Sequence, residues 1–567
     1  MASIGRAISN FELSDYRGKK FALAELADKD VIVVAFLGNE CPLCRQYGPR
    51  LEQLSQEFAN RGVAFLGINS NQQDALAEMA AYVRTCSITF PLLKDPGNVV
   101  ADQFAAERVP EVFVLDKARK VCYRGRIDDQ FGLSTGSGYA RPKVRSRDLA
   151  SAIEEILEGK KVSHPVTEAS GCLIGRVAQV APHGEINYSK HIAPLLQQHC
   201  VECHRPGEVA PFSLLEYDEV AGWAAMIREV IDEGRMPPWF ANPEVGHFAN
   251  DARLTSEEKA LFGKWVDNGC PQGDPKDLPP PRSFPTGWQM CEPDQVIYMR
   301  DEPYTVPAEG VVEYQYFVVD PQFTEDKWVQ AAEARPGNRA VVHHMIAFVQ
   351  PPPRREKVGL DFRRGGGLAS YTPGDRARVY PPGVAAYVPA GSKLIFQVHY
   401  TPNGTRQEDR SYIGLKFADP KTVKRRARGG AAANRRFTIQ PGAEDQRVVA
   451  LHTFDRDTLL ATMLPHMHLR GKSFRYIAKY PNGKTETLLD VPHYDFNWQL
   501  RYELAEPKLM PRGTVLECTA HFDNSENNLA NPDPKVAVRW GDQAFEEMMI
   551  GFFSTLPVYD DVSTGDK

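Results

Sequence analysis

Five histidines in the last third of the chain limit most what it can fold into: the pair in VVHHMIAFV (His343, His344), His399 in FQVHYTPNG, and the pair in MLPHMHLRG (His466, His468). Each lies in or beside a run of Val, Ile, Phe, Leu and Tyr that reads as a β-strand, so ligand-type side chains stand on rigid elements. Residues two apart on a strand share a face, so His466 and His468 can grip one ion while Met467 points away. His343 and His344 are adjacent and would face opposite sides of a regular strand, so joint ligation with His399 requires a bulge or twist there. Imidazole suits zinc, copper, iron and nickel, and a thioether added to two histidines shifts the preference toward Cu(I). FEEMMIGFF offers that thioether at Met548 or Met549.

The order HHM, QVHY, HMH, EMM, spread over roughly residues 290 to 557, resembles the copper type II, ascorbate-dependent monooxygenases, the family of peptidylglycine and dopamine hydroxylating enzymes. The resemblance implies two copper ions: an electron-accepting one on His343, His344 and His399, and one that meets O₂ and a small-molecule substrate on His466, His468 and Met548. It implies two antiparallel β-sandwiches facing across a cleft, and hydroxylation of a C–H bond with one oxygen atom leaving as water. Short apolar strands between Gly, Pro, Asn and Asp turns from about residue 286 onward point to the same all-β class, with RRGGGLASYTPGDRARVYPPG as a rim loop. The family pattern would put an arginine at Leu464, a tyrosine at Phe552 and a cysteine at Met549, which leaves Cys518 without its implied partner; a glycine-extended peptide is therefore not the expected substrate. His493 and His521 are candidates to line the site, and Arg470 is either an anion ligand or, more in keeping with its place at a strand end, solvated.

Residues 1–165 alternate apolar strands (VIVVAFLG, GVAFLGINS, EVFVLD) with helical stretches, the pattern of an α/β sheet with helices packed on it. Glu40-Cys41-Pro42-Leu43-Cys44 follows the first of these strands directly, so Cys41 opens a helix whose backbone N–H groups stabilise a thiolate. This segment is similar to the thioredoxin and redoxin superfamily, and Val109-Pro110 sits where that family keeps a cis-proline facing its cysteines. The resemblance implies thiol–disulfide exchange at Cys41 and Cys44; a structural disulfide or a retired scaffold is the alternative. Glu40 replaces the usual tryptophan, and an acidic neighbour is expected to raise the pKa of Cys41. Val34 and Gly38 replace the Pro and Thr of a peroxidase. Cys86 and Cys122 read as buried thiols, and Cys172, in the connector 166–184, as a resolving partner or an idle residue.

Cys200-Val201-Glu202-Cys203-His204 has the form of a c-type haem attachment: two thiols for the vinyl groups and a histidine for the iron. Residues 185–283 around it read as an all-α cytochrome c domain, with a capping box from Thr255 to Glu258 and a helix ending at Gly269. Similar cytochromes take a methionine from a prolyl loop such as Gly234-Arg235-Met236-Pro237-Pro238-Trp239, so Met236 is the expected sixth ligand; Met226, on an apolar helix face, reads as core, and His199 and His247 as polar neighbours. Proline-rich Asp277–Pro285 reads as a stiff spacer.

The expected order is therefore a thioredoxin-like domain (1–165), connector (166–184), cytochrome c domain (185–283) and two β-sandwiches (284–430 and 431–567), more than one core in a chain of 567 residues. Lys and Arg total 67 against 73 for Asp and Glu, so no overall field draws it to nucleic acid. The one basic run, Lys424–Arg436, reads as a solvated linker. No apolar run is long enough for a membrane span. The ten cysteines do not read as a disulfide scaffold. Haem and copper chemistry suits a periplasmic or secreted protein, so a signal peptide is expected to have preceded Met1-Ala2-Ser3. The sequence thus supports three functions: a monooxygenase fed through the haem from an external electron donor; an electron-transfer or copper-binding protein without hydroxylation; or a thiol–disulfide exchanger serving cysteines or Cu(I).

Overall fold

The computed structural model describes residues 4–134, 137–177, 181–284, 287–352, 367–559 and 562. Its first unit is built on β3 (Val31–Phe36), VIVVAF, whose six side chains are all buried. In chain order the elements are β1 (Glu12–Asp15), β2 (Lys20–Ala22), β3, α1 (Pro42–Phe58), β4 (Val63–Asn69), α2 (Leu76–Thr85), β5 (Leu92–Lys94), α3 (Val99–Phe104), β6 (Arg108–Val109), β7 (Glu111–Leu115), β8 (Val121–Gly125), β9 (Phe131–Ser134), β10 (Ser137–Ala140) and α4 (Asp148–Leu157). A seven-stranded sheet runs β2-β1-β5-β4-β3-β7-β8, parallel across β3, β4 and β5 and antiparallel elsewhere. Phe36, Phe104 and Phe113 meet edge to face at 5.1 to 5.6 Å, each burial contributing about 1.5–3 kcal/mol. The Val109–Pro110 peptide is cis, as its position predicts. This is the thioredoxin-like α/β arrangement.

The connector contributes β11 (Cys172–Leu173), antiparallel to β6. Beyond it lie α5 (Ala193–His199), α6 (Tyr217–Asp232) and α7 (Ser256–Asp267). The predicted capping box is present: Thr255 Oγ1 accepts from the Glu258 amide at 3.1 Å, and Glu258 Oε2 accepts from the Thr255 amide at 2.8 Å. Trp223, Phe262 and Trp265 anchor the apolar interior between these helices.

The rest is β-rich: β12 (Gln295–Tyr298), β13 (Tyr304–Val306), β14 (Gln315–Val319), β15 (Lys327–Arg335), β16 (Val342–Gln350), β17 (Gly367–Tyr371), β18 (Arg378–Val379), β19 (Val384–Val388), β20 (Lys393–Tyr400), β21 (Gln407–Asp409), β22 (Tyr412–Phe417), β23 (Arg425–Ala433), β24 (Thr438–Ile439), β25 (Gln446–Thr453), β26 (Thr458–His466), β27 (Gly471–Lys479), β28 (Thr485–Val491), β29 (Tyr502–Met510), β30 (Val515–Phe522), β31 (Val538–Arg539) and β32 (Ile550–Pro557). Two four-stranded sheets, β14-β20-β16-β17 and β25-β30-β27-β28, lie against one nine-stranded sheet that runs β12-β22-β15-β19-β23-β32-β26-β29, with β18 beside β15.

Two expectations change here. The basic run expected as a linker is β23, and the expected boundary at 430/431 falls inside it; β23 pairs with β32 antiparallel and with β19 in parallel, so the strands are not all antiparallel. Its small residues are there for packing: a Cβ on Gly430 would lie 2.4 Å from the Phe553 ring, and Arg426 lies over the Tyr387 ring at 4.6 Å. The rim loop is only partly described, residues 353–366 lying outside the described residues; the chain from Gly367 onward forms β17 and β18. Among the described residues no helix is long and apolar enough to cross a membrane.

Candidate functional site

Three clusters carry the candidate chemistry. In the first, β3 ends and the chain turns through Glu40 so that Cys41 caps α1, with Pro42 as its first helical residue. Cys41 and Cys44 are fully buried. Cys41 Sγ lies 3.1 Å from the Val109 carbonyl, and Cys44 Sγ accepts from the Gly38 amide at 3.3 Å. Strand β11 sets Cys172 directly opposite Val109, so a third thiol, partly buried, comes within hydrogen-bonding reach of Cys41. Burial pushes Cys41 up, but hydrogen bonds from Cys172 and Cys44 outweigh it and hold the thiol well below its ordinary range. Burial and then the Cys41 charge push Cys44 well up; the bond to Cys41 and then burial do the same to Cys172.

Glu40 does not raise Cys41 as expected. Burial, then the charges of Asp74 and Glu78, push Glu40 itself up to about 7, which thins its negative charge, and its Oε2 accepts from Trp223 Nε1 at 3.3 Å. Cys86 is buried as expected; Cys122 is only half-buried.

In the second cluster, α5 hands over to a tight turn in which the amides of Cys203 and His204 both donate to the Cys200 carbonyl, at 3.1 and 2.9 Å. His204 Nδ1 donates to the Phe212 carbonyl at 3.2 Å, which leaves Nε2 the nitrogen able to ligate a metal, and burial lowers its pKa, keeping the ring neutral. Phe212 lies against this imidazole at 4.8 Å and stacks on Trp223 at 4.4 Å. Met236 lies on the loop leaving α6, its amide on the Val230 carbonyl at 3.1 Å. Met226 packs in the core, its sulfur accepting from the Leu173 amide at 3.3 Å. His199 pairs with Glu258 at 3.0 Å, and His247 is exposed.

The third cluster gathers all five histidines. The register of β16 against β20 slips between Val342 and His344, the bulge that joint ligation demands. Ligand nitrogens of His343, His344 and His399 consequently lie within 4.8 Å of one another. His466 and His468 share a face with ring centroids 5.3 Å apart, while Met467 points into the core. His466 pairs with Ile550 at the end of the β26–β32 ladder, which brings the Met548–Met549 segment, just before Ile550 in sequence, next to the histidines; of the two methionines, Met549 packs with Met467 in the core.

The expected open cleft between the two histidine groups is filled. His344 and His466 are 6.5 Å apart, Phe496 stacks on His343 at 4.9 Å and reaches His468 at 6.2 Å, and Tyr314 touches His344, His399 and His468 at 4.7 to 5.9 Å. Burial lowers all five histidines, His343 and His466 to about 4. Four buried ring nitrogens, His343 Nε2, His344 Nε2, His399 Nδ1 and His468 Nε2, have no hydrogen-bond partner, and nor has the Tyr314 hydroxyl. Neutral imidazoles with partnerless ring nitrogens are a fitting donor set for copper.

Sequence reasoning missed Tyr314, Phe496, Gln499 and Glu547. Gln499 Oε1 fixes His466 Nδ1 at 2.7 Å, and Glu547 takes the amides of His468 and Arg470 at 2.9 and 2.7 Å. Only Glu547, beside Met548, carried a signal in sequence; the others arrive from distant loops. Arg470 is buried, not solvated, donating to Asn524 and to the Phe545 carbonyl, because it faces the Glu547 carboxylate that closes this end of the sheet. His493 is exposed and His521 pairs at the surface with Asp445, so neither lines the cluster. Cys518 is buried and unpaired.

The AhpC/TSA family model matches residues 4–124. Over 117 residues the chain is 28% identical to the thiol-disulfide oxidoreductase ResA of Halalkalibacterium halodurans, covering 21% of this chain and 65% of that protein. It is also 28% identical over 114 residues to the thioredoxin-like protein YneN of Bacillus subtilis, covering 20% and 65%. The chain thus spans just under two thirds of the length of the curated relatives it matches. Among solved structures, a hypothetical protein from Sinorhizobium meliloti aligns with 31% identity, 31% of this chain and 97% of that one, at a TM-score of 0.29. A DsbE-type thiol:disulfide interchange protein from Chlorobium tepidum aligns with 18% identity over 22% and 85%, at 0.20. The N-terminal unit is a thioredoxin-like redoxin domain of the AhpC/TSA type.

Proposed function

We propose that this chain is a modular oxidoreductase whose N-terminal unit performs thiol–disulfide exchange through Cys41 and Cys44. The observation that carries the reading is the placement of the pair: Cys41 caps α1 with its Sγ 3.1 Å from the Val109 carbonyl, beside Pro110, and Cys44 follows one turn on with its Sγ accepting from the Gly38 amide at 3.3 Å. The Cys41 thiolate attacks a partner disulfide and releases one partner thiolate; Cys44 then attacks Cys41, freeing the second, so two electrons pass to the partner and a Cys41–Cys44 disulfide remains. Replacing Cys41 with Ser should lower the rate of reduction of a synthetic disulfide peptide by about 1000-fold or more. An unchanged rate ends the reading.

A second reading, copper-dependent hydroxylation of a small molecule by O₂, rests on the convergence of five histidines, four of whose ring nitrogens are partnerless, with Met548 as the thioether the family resemblance implies. Bound copper would supply one-electron redox chemistry toward O₂, and Cys200, Cys203, His204 and Met236 are the residues that would hold a haem, which would supply single-electron transfer. The chain's own residues support that traffic. Glu208, just past the CVECH turn, pairs with Arg339, four residues before His343, and Arg376 pairs with Glu202 at 3.1 Å. A tethered donor acts at high effective concentration. Gln499 and the Glu546 carbonyl orient His466 and His468. A periplasmic or secreted setting suits both readings. Two coppers and one haem per chain with reductant-dependent O₂ uptake support hydroxylation; copper binding without uptake reduces this half to metal handling or electron transfer.

A further inference from the structure

Cys172 belongs to neither reading so far, yet the chain spends several contacts on placing it. Strand β11 lies antiparallel on β6, with Cys172 opposite Val109 and Leu173 opposite Arg108. Arg108 donates to the Gly171 carbonyl at 2.9 Å, the Ile174 amide to Glu107 at 2.9 Å, and the Gly175 amide to Asn71 Oδ1 at 3.0 Å, and the Gln72 amide donates to the Gly175 carbonyl at 2.9 Å. Gly171 permits the approach: a Cβ there would sit 2.1 Å from the Val109 carbonyl oxygen, the atom that also meets Cys41 Sγ. A strand laid on an exposed edge is the ordinary way for a protein to hold an extended peptide, and here the peptide is the chain's own connector, with a cysteine where the exchanging residue of a partner would stand.

We infer that Cys172 is a third reacting thiol of the redoxin unit, moving the disulfide between Cys41–Cys44 and Cys41–Cys172; the inference rests on the exchange reading of Cys41. The Cys172 thiolate attacks Cys41 Sγ, the Cys41–Cys44 bond breaks as Cys41–Cys172 forms, and the departing Cys44 thiolate takes the proton Cys172 gave up. No electrons are gained or lost. The disulfide is first made by exchange with an external low-molecular-weight disulfide, which leaves as two thiols. Once Cys41 is oxidised its bond no longer pushes Cys172 up, and Arg235 and Arg108 remain to pull that thiol down against burial. Cys172 is the least buried residue of the three, so it is the one a bulky partner dithiol meets first. Its strand also packs on α6 through the Leu173–Met226 contact, and the neighbouring β6 does so through the Arg108–Glu229 ion pair at 2.8 Å, so the exchanging segment touches the helical unit directly.

The test uses the full chain, reduced and then given limiting glutathione disulfide, acid-quenched, alkylated and mapped by non-reducing proteolysis and mass spectrometry. Wild type is expected to yield both Cys41–Cys44 and Cys41–Cys172, a digest that depends on no substitution folding. Cys44→Ser is expected to yield Cys41–Cys172 at about ten times or more the glutathione adduct of Cys41, because the resident thiol competes at high effective concentration. If Cys172→Ser forms Cys41–Cys44 normally while Cys44→Ser holds glutathione on Cys41 with Cys172 free, the third thiol is refuted and the exchange reading stands. If wild type forms neither disulfide, both fall.

Discussion

Two buried clusters in this molecule are closed in opposite ways. In the thiol cluster each sulfur has a partner inside the chain: Cys41 the Val109 carbonyl, Cys44 the Gly38 amide, Cys172 the Cys41 sulfur. In the histidine cluster four ring nitrogens and one phenol have none. A buried polar group without a partner costs about 1–3 kcal/mol, so a fold retains several together only where something else completes them. The contrast separates a cluster whose sulfurs are partnered within the chain from one whose ring nitrogens are left without partners, the condition the proposed copper reading requires.

The contrast can be broken by experiment. Copper at one hundred times its dissociation constant should stabilise the protein by about 2.7 kcal/mol, read as a rise in Tm that is abolished by His344→Ala with His399→Ala; equal Tm with and without copper would place the histidines with the self-satisfied cluster. Gly171→Ala, which drives a methyl into the Val109 carbonyl, should cost about 2 kcal/mol and speed alkylation of Cys41 as β11 lifts, leaving copper binding unchanged. Gln499→Leu should weaken copper affinity about tenfold, measured against a chelator, by releasing His466.

The smallest effect is pH-dependent. Burial, then Asp74 and Glu78, raise Glu40 from its ordinary 4.5 to about 7, so between those values the folded protein holds a proton that the unfolded chain has lost. That contribution is complete below about pH 4.5 and is lost as pH rises through about 7. Glu40→Gln cannot ionise and should match wild type in Tm near pH 4 and exceed it near pH 8, by about 1 kcal/mol or less at this partly exposed carboxyl.

Local pattern revealed a good deal. The buried run of β3, the Thr255 capping box, the slip beside His343 and the shared face of His466 and His468 all arise from short-range rules of period and sterics. The failures share a cause. The glycines and alanines of β23 read as linker because the Phe553 ring they accommodate lies far away in sequence, and Arg470 read as solvated because its carboxylate neighbour, Glu547, comes from the far end of the same unit. Phe496 and Tyr314 carry no ligand chemistry of their own, so only the packed structure shows them occupying the space between the two histidine groups. Cys172 had no motif; its place depends on pairing with a two-residue strand.

Because β19 and β23 pair edge to edge, one hydrogen-bonded ladder passes without interruption from the part of the chain bearing His344 to the part bearing His466. Swinging those parts open would break the ladder of Val384–Ala386 against Arg425–Ala427, so that ladder opposes hinge motion of the two against each other. Whatever small molecule reaches the histidines must enter by the displacement of side chains such as Phe496, which lies against both His343 and His468.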